Sequence, residues 1–390
     1  MSLVACGGGG GSNSNAQVTP TDNELSDITP YVASSPYASV MKPCVLVDNG
    51  ASTCLLSDLP LLLEDAENPT VADIMSRVLV SHSWMGLRFQ QVLETMPEEV
   101  LKLFTAVTII VIDDDVRPSS YQAQTSTIYI DAAYLWLTNA EKVVITKEDD
   151  FRSSYGDELA FISLSRSVDG FEYAWEYYSL NDNDVREIED IRLNLARVLL
   201  HELMHANDFF PPQHTLYLSL NQTIYQAYQQ LLSERISIRL DASMPLQSPL
   251  LKGLAAVMYL GNTPTAAQKI VTALEVGEAM ENDGANDDYA YSTTREDVAM
   301  LFSEVMMKNL FDIDRDVGYV NRLSLEQQCD DYIVEWGMRG RIGDSNVKVR
   351  AQFVVAEVYP DRDFSLFFQN LPAPLFMRSG EGWCENLALF

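Results

Sequence analysis

The pentapeptide His201-Glu202-Leu203-Met204-His205 holds two of the four histidines in this 390-residue chain, the others being His82 and His214. On an α-helix, residues i and i+4 lie one turn apart on the same face, about 5 to 6 Å between Cβ atoms, so both imidazoles can reach one metal ion. The carboxylate of Glu202 would then stand where it can take a proton from a water held by that ion. The apolar run Val198-Leu199-Leu200 just before the motif implies that this face is buried. Burying two imidazoles and a carboxylate with nothing to bind would cost on the order of several kcal/mol. Zinc ordinarily takes three protein ligands and keeps a fourth position open, so the pair leaves one ligand to be found.

The elements that position the motif are partly readable from periodicity. Ile188, Ile191, Leu195, Val198 and Leu199 make a stripe at helical spacing, with Asp184 or Asp190 as the cap and Phe209-Phe210-Pro211-Pro212 as the stop, because proline disfavours helix in the residue before it. From Met75 to Leu103 the spacing predicts helix. Val107-Thr108-Ile109-Ile110-Val111-Ile112 predicts a buried strand ended by Asp113-Asp114-Asp115, and Thr127-Ile128-Tyr129-Ile130 a second strand running into the apolar segment from Ala132 to Leu137. Residues 216 to 310 are mostly helical in pattern, broken by turns at Pro245, Pro249 and Pro264. The acidic stretch from Glu281 to Asp288 lacks the residue order of a calcium loop and reads as a solvated loop. Tyr332 to Met338 and Val347 to Val358 have extended-chain composition, with Arg339-Gly340-Arg341 and Gly343-Asp344-Ser345 as the turn between them. There is no internal repeat.

Composition bounds the partners. A hydrophobic content of 47% supports a sizeable core, and a net charge of −30, from 26 basic against 56 acidic residues, argues against nucleic acid or an anionic membrane face. No run of about 18 apolar residues is present to span a bilayer. Residues 1 to 36, rich in Gly, Ser, Asn, Thr and Pro, read as a flexible tether. Setting Cys6 aside, Cys44, Cys54, Cys329 and Cys384 lack paired metal-site spacing and read as structural; of their three possible pairings, sequence proximity favours Cys44 with Cys54 and Cys329 with Cys384.

Leu3-Val4-Ala5-Cys6, followed by five glycines, resembles the lipobox and tether of bacterial lipoproteins. That likeness implies lipidation at Cys6, the chain's one membrane attachment, and an extracytoplasmic site. Gly7 in place of an aspartate favours the outer membrane or cell surface. The His-Glu-x-x-His pattern resembles the zincin metallopeptidases, in which the histidines bind zinc and the glutamate is the general base. A metzincin continuation is ruled out, since Pro211 occupies the third-histidine position and His214 lies nine residues past His205. In gluzincins a second helix supplies a glutamate, here Glu234 in Ser233-Glu234-Arg235-Ile236-Ser237 or Glu296 in the segment from Thr294 to Phe302. The latter resembles the Glu-Asp-Phe-Ala-Glu stretch of gluzincin-like bacterial zinc-binding metallopeptidase lipoproteins and of lethal-factor-like toxins, with Val298 and Met300 as departures. Glu296 is preferred over Glu234, with small Ala299 and Ser303 on its face. If Thr293 caps that helix, Glu296 falls at the capping-box position; if Thr294 does, Asp297 takes it. Tyr291, and after it Tyr289, match the tyrosine that the toxin-like relatives place on the developing oxyanion. Arg295 reads as an ion-pair partner of Glu296 or Asp297, Asp208 as a carboxylate supporting the ligands, and His82 as structural.

These resemblances imply an α+β, zincin-like fold with a mixed-sheet upper subdomain to about residue 210 and a helical lower one. The catalytic domain would cover residues 37–325, followed by a β-containing segment over 326–390. Thr127–Ile130 would be the sheet edge above the cleft. The implied activity is zinc-dependent hydrolysis of peptide or protein substrates. The alternative is a non-catalytic surface lipoprotein that binds a protein or the cell wall.

Overall fold

The β-branched run around Ile109 becomes the centre of a mixed sheet. The computed structural model, which describes residues 7–9, 25, 27–46, 54–323 and 328–388, is an α+β protein with two sheets and two compact units. One unit holds the described residues of Cys6–Asp149 and Tyr177–Ile236, the other those of Asp150–Glu176 and Ser237–Phe390. These divisions differ from the boundaries expected at 36, about 210 and 325.

In the first unit the strands are β1 (Gly7–Gly9), β2 (Thr29–Pro30), β3 (Val78–Val80), β4 (Ile109–Asp113), β5 (Ser120–Gln122) and β6 (Thr127–Asp131), in the order β1-β5-β6-β4-β3-β2. β3, β4 and β6 run parallel, and every residue of β4 and β6 is buried. Parallel strands of this kind are covered on both faces, which accounts for continuous rather than alternating apolar sequence. β6 is not the edge strand that the zincin resemblance implied. β5 pairs with it antiparallel across a turn ending at Ser126, whose φ is 50°, and the three residues of β5 are too few to show a period.

Helix α1 (Ser83–Leu93) and the motif helix α2 (Ile188–Phe209) belong to this unit. Val78–Val80 interrupts the helix expected from Met75 to Leu103, because its β-branched residues find strand partners in Ile110–Ile112. Part of the segment expected to be a tether over residues 1 to 36 is folded. Leu25 and Ile28 are buried and Thr29–Pro30 pairs antiparallel with Leu79–Val80, while residues 1–6, 10–24 and 26 lie outside the described residues.

The second unit carries β7 (Phe161–Asp169), β8 (Glu172–Tyr173), β9 (Asp314–Asn321), β10 (Val334–Arg339) and β11 (Leu375–Phe376), antiparallel in the order β11-β10-β9-β7-β8. With them are α3 (Pro249–Leu260), α4 (Ala273–Glu281), α5 (Thr294–Phe311) and α6 (Ser345–Val358). The extended chain expected over Val347 to Val358 is therefore a helix. Asp344 caps it by accepting from the Asn346 amide at 2.8 Å, and Val347, Ala351, Val354, Val355 and Val358 are buried at helical spacing, so one-sided burial outweighs the β-preference of valine.

α4 packs on β9 and β10, where the Trp336 ring stacks on Tyr319 at 5.7 Å. A Cβ on Gly277 of α4 would stand 2.2 Å from Trp336 Cγ, so this glycine is what lets the indole lie against the helix. Gly277→Ala is expected to lower stability by about 1–3 kcal/mol through overpacking, measured by urea unfolding. Both favoured disulfides are formed, Cys44–Cys54 and Cys329–Cys384, each with Cα atoms 5.7 Å apart.

The acidic stretch is not solvated. Asp283, Asn286, Asp287 and Asp288 are all buried, because buried or half-buried arginines take up its polar groups. Arg341 donates to the carbonyls of Met280 and Ala285 at 2.8 Å, and Arg315 pairs with Asp287 at 2.7 Å.

Candidate metal centre

The motif helix is held at both ends. Glu187 and Asp190 form a reciprocal capping box, with the Glu187 amide donating to Asp190 at 2.7 Å, and the helix stops at Phe210 ahead of Pro211. α2 packs on β5, on α1 and on the turns Leu103–Ala106 and Ala132–Tyr134. Near its end the Tyr121 and Phe209 rings stand 5.9 Å apart, and the Asn207 amide donates to the Leu103 carbonyl at 2.9 Å. The last two turns are therefore wholly enclosed, and His201, Glu202 and His205 are each no more than 2% exposed.

His201 Nε2 and His205 Nε2 lie 3.2 Å apart, with ring planes inclined by 84°. Two nitrogens bonded to one tetrahedral zinc at about 2.05 Å would stand about 3.3 Å apart, so the helix alone presents this pair at coordinating separation. His201, His205 and Glu296, all buried, offer ligand atoms within 4.8 Å of one another, a group that could hold a metal ion. Two imidazoles and a carboxylate are a donor set suited to zinc.

Glu296 sits at the third position of α5, and the Thr293 hydroxyl accepts from its amide at 3.2 Å, which places the cap at Thr293 rather than Thr294. Asp297 turns away to a bidentate pair with Arg350. Glu234 is 43% exposed at its side chain and 3.7 Å from His214 Nε2. His82 stands at the N-cap position of α1 without a side-chain cap bond, its Nδ1 3.2 Å from the Ser81 hydroxyl and 3.4 Å from Asp114. Asp208 is fully buried near the end of α2. The only other donor cluster among the described residues, Cys329, Asp330 and Cys384, has its two sulfurs joined in a disulfide.

Tyr289 and Tyr291 occupy one short 3-10 turn in the second unit, and both are buried. The Tyr291 ring belongs to that unit's apolar core with Val276, Tyr319 and Trp336, and burial, reinforced by Asp283, pushes its phenol far above the ordinary range. Tyr289 stands outside that cluster. Its ring meets Tyr259 edge-on at 4.8 Å. Tyr259 in turn donates to Asp288 at 2.8 Å, whose other oxygen accepts from Ser163 at 2.9 Å. Burial and then the neighbouring Asp287 raise the Asp288 carboxyl to about 6.

Periodicity could not have shown the partners of Asp288 or the Arg350–Asp297 pair. Asp288 sits in a segment whose composition looks solvated, its partners lie on β7 and α3, and the Arg350–Asp297 pair depends on α6 being a helix. Cys6 lies outside the described residues, and among those described no helix is long and apolar enough to cross a membrane. No family model, curated protein or solved structure matches the chain.

Proposed function

We propose that this protein is a zinc-dependent peptide hydrolase of gluzincin type, with His201, His205 and Glu296 as metal ligands and Glu202 as general base. The observation that carries this reading is the buried convergence of the two Nε2 atoms and the Glu296 carboxylate, with Glu202 adjoining the first ligand in sequence. Zinc in such a site supplies a Lewis acid for the scissile carbonyl and a water acidified toward a pKa of about 7. Glu202 would be the group that takes a proton from such a water and returns it to the departing amine, a role for which burial away from bulk water suits it. Of the two tyrosines, Tyr289 is the better oxyanion donor, because the Tyr291 ring is taken up by the core.

The lipobox-like start and the two disulfides support a chain tethered through Cys6 outside the cytoplasm, where thiols are oxidised. The full chain, dialysed after zinc loading, is expected to retain one equivalent of zinc and to cleave members of a broad peptide library. His205→Ala should lose both properties. Zinc retained by His205→Ala as tightly as by wild type would end this assignment.

A further inference from the structure

We propose that Arg350, which no motif singles out, is a positioning residue that holds Glu296 in place for the metal; this inference rests on the zinc reading above. The first turn of any helix lacks intrahelical partners for its amides and is the part most prone to fray. Glu296 lies in such a turn of α5, held locally by the Thr293 hydroxyl. Arg350 reaches this turn from α6 and ties three separate segments together. Its guanidinium forks onto both oxygens of Asp297, the residue next to Glu296, with Nη1 at 2.9 Å from Oδ1 and Nη2 on Oδ2. Nη1 also donates to the Gly284 carbonyl at 3.0 Å and Nε to the Met244 carbonyl at 2.9 Å.

The stem of Arg350 passes directly over Gly284, where a Cβ would lie 2.8 Å from its Cδ, so a side chain there would displace the arginine. Arg350 is 3% and Asp297 4% exposed, so the fork is closed off from competing water. A planar fork bound bidentately fixes both the position and the rotation of its partner, which a lysine ammonium cannot do. The backbone of the Glu296–Asp297 turn is thereby clamped from outside the helix, much as hydrogen-bonded partners behind metal ligands set ligand orientation and tune affinity by about 10- to 100-fold.

The test compares the full chain with Arg350→Lys, with the double variant Arg350→Met/Asp297→Asn, which strands neither charge, and with Gly277→Ala as a destabilised control remote in sequence from the ligands. Zinc affinity is read by competition with a chromophoric chelator at a temperature where circular dichroism shows each variant folded. Cobalt(II) spectra report coordination independently of activity. Arg350→Lys and the double variant should bind zinc about 10- to 100-fold more weakly. Their cobalt spectra should move toward that of Glu296→Ala, whereas Gly277→Ala should match wild type in both. Variants that bind zinc as tightly as a zinc-binding wild type overturn the role of Arg350 alone. So does an equal loss in Gly277→Ala, which would mark a general effect of lowered stability. A wild-type chain with no zinc affinity overturns both this inference and the metal assignment beneath it.

Discussion

Glu202→Gln should retain its zinc and lose peptide hydrolysis by about 10²- to 10⁴-fold, the range over which a positioned general base accelerates a reaction. The substitution is nearly isosteric, which matters at a residue with no exposed surface, because a smaller side chain would open a cavity beside both histidines. Glutamine can still hydrogen-bond but cannot take a proton, so the deficit should fall on kcat more than on KM. The outcome that sinks the mechanism is hydrolysis within tenfold of wild type. If wild type and Glu202→Gln bind zinc alike and neither cleaves any peptide, the chain is a binding module that keeps a metal site.

How much of the fold is legible in the sequence follows from the range of the forces involved. The motif, the stripe of α2 and its proline stop are local, and all lie where the sequence placed them. Val107–Ile112 was legible as a buried strand for the same reason, since one segment carries the whole signal. Long-range pairing is what hid the rest. Val78–Val80 is a strand because Ile110–Ile112 stands beside it, and Thr29–Pro30 is one because β3 then offers an edge. The valines of α6 favour strand individually and helix only through the side they bury. The acidic loop looked solvated because the arginines that satisfy it come from residues 315, 341 and 350, well downstream in the chain. For the site, the histidines and Glu202 sit within one helical turn. Choosing Glu296 over Glu234 required the family resemblance, because periodicity alone does not rank two glutamates on separate segments.

The largest stability effect expected away from the metal is a loss of stability as pH rises from 5 to 8, and Glu304 should account for about 2 to 3 kcal/mol of it. Glu304 lies on α5, is 5% exposed, and accepts from the Asn286 amide at 2.8 Å through one oxygen. The Ile342 backbone amide also favours the ionised carboxylate, while the Asn286 side-chain oxygen is buried without a hydrogen-bond partner. Burial raises this carboxyl from 4.5 to about 7, against the opposing Arg315 charge and the Asn286 and Ile342 hydrogen bonds and with Asp287 adding to the rise. Because the folded value is the higher one, the folded state binds more protons between these limits. The stabilisation is complete below about pH 4.5 and is lost as pH climbs through about 7, at about 1.4 kcal/mol per unit. Asp113, raised to about 7 by burial and its acidic neighbours, adds a fall of the same sign in the other unit. Glu304→Gln carries a permanent N–H donor in place of the titrating proton. Urea unfolding of zinc-free protein at pH 5 and pH 8 should therefore show the variant losing about 2 to 3 kcal/mol less than wild type, with a residual fall from Asp113. Parallel pH dependence in the two proteins would mean that Glu304 is already ionised in the folded state at pH 5.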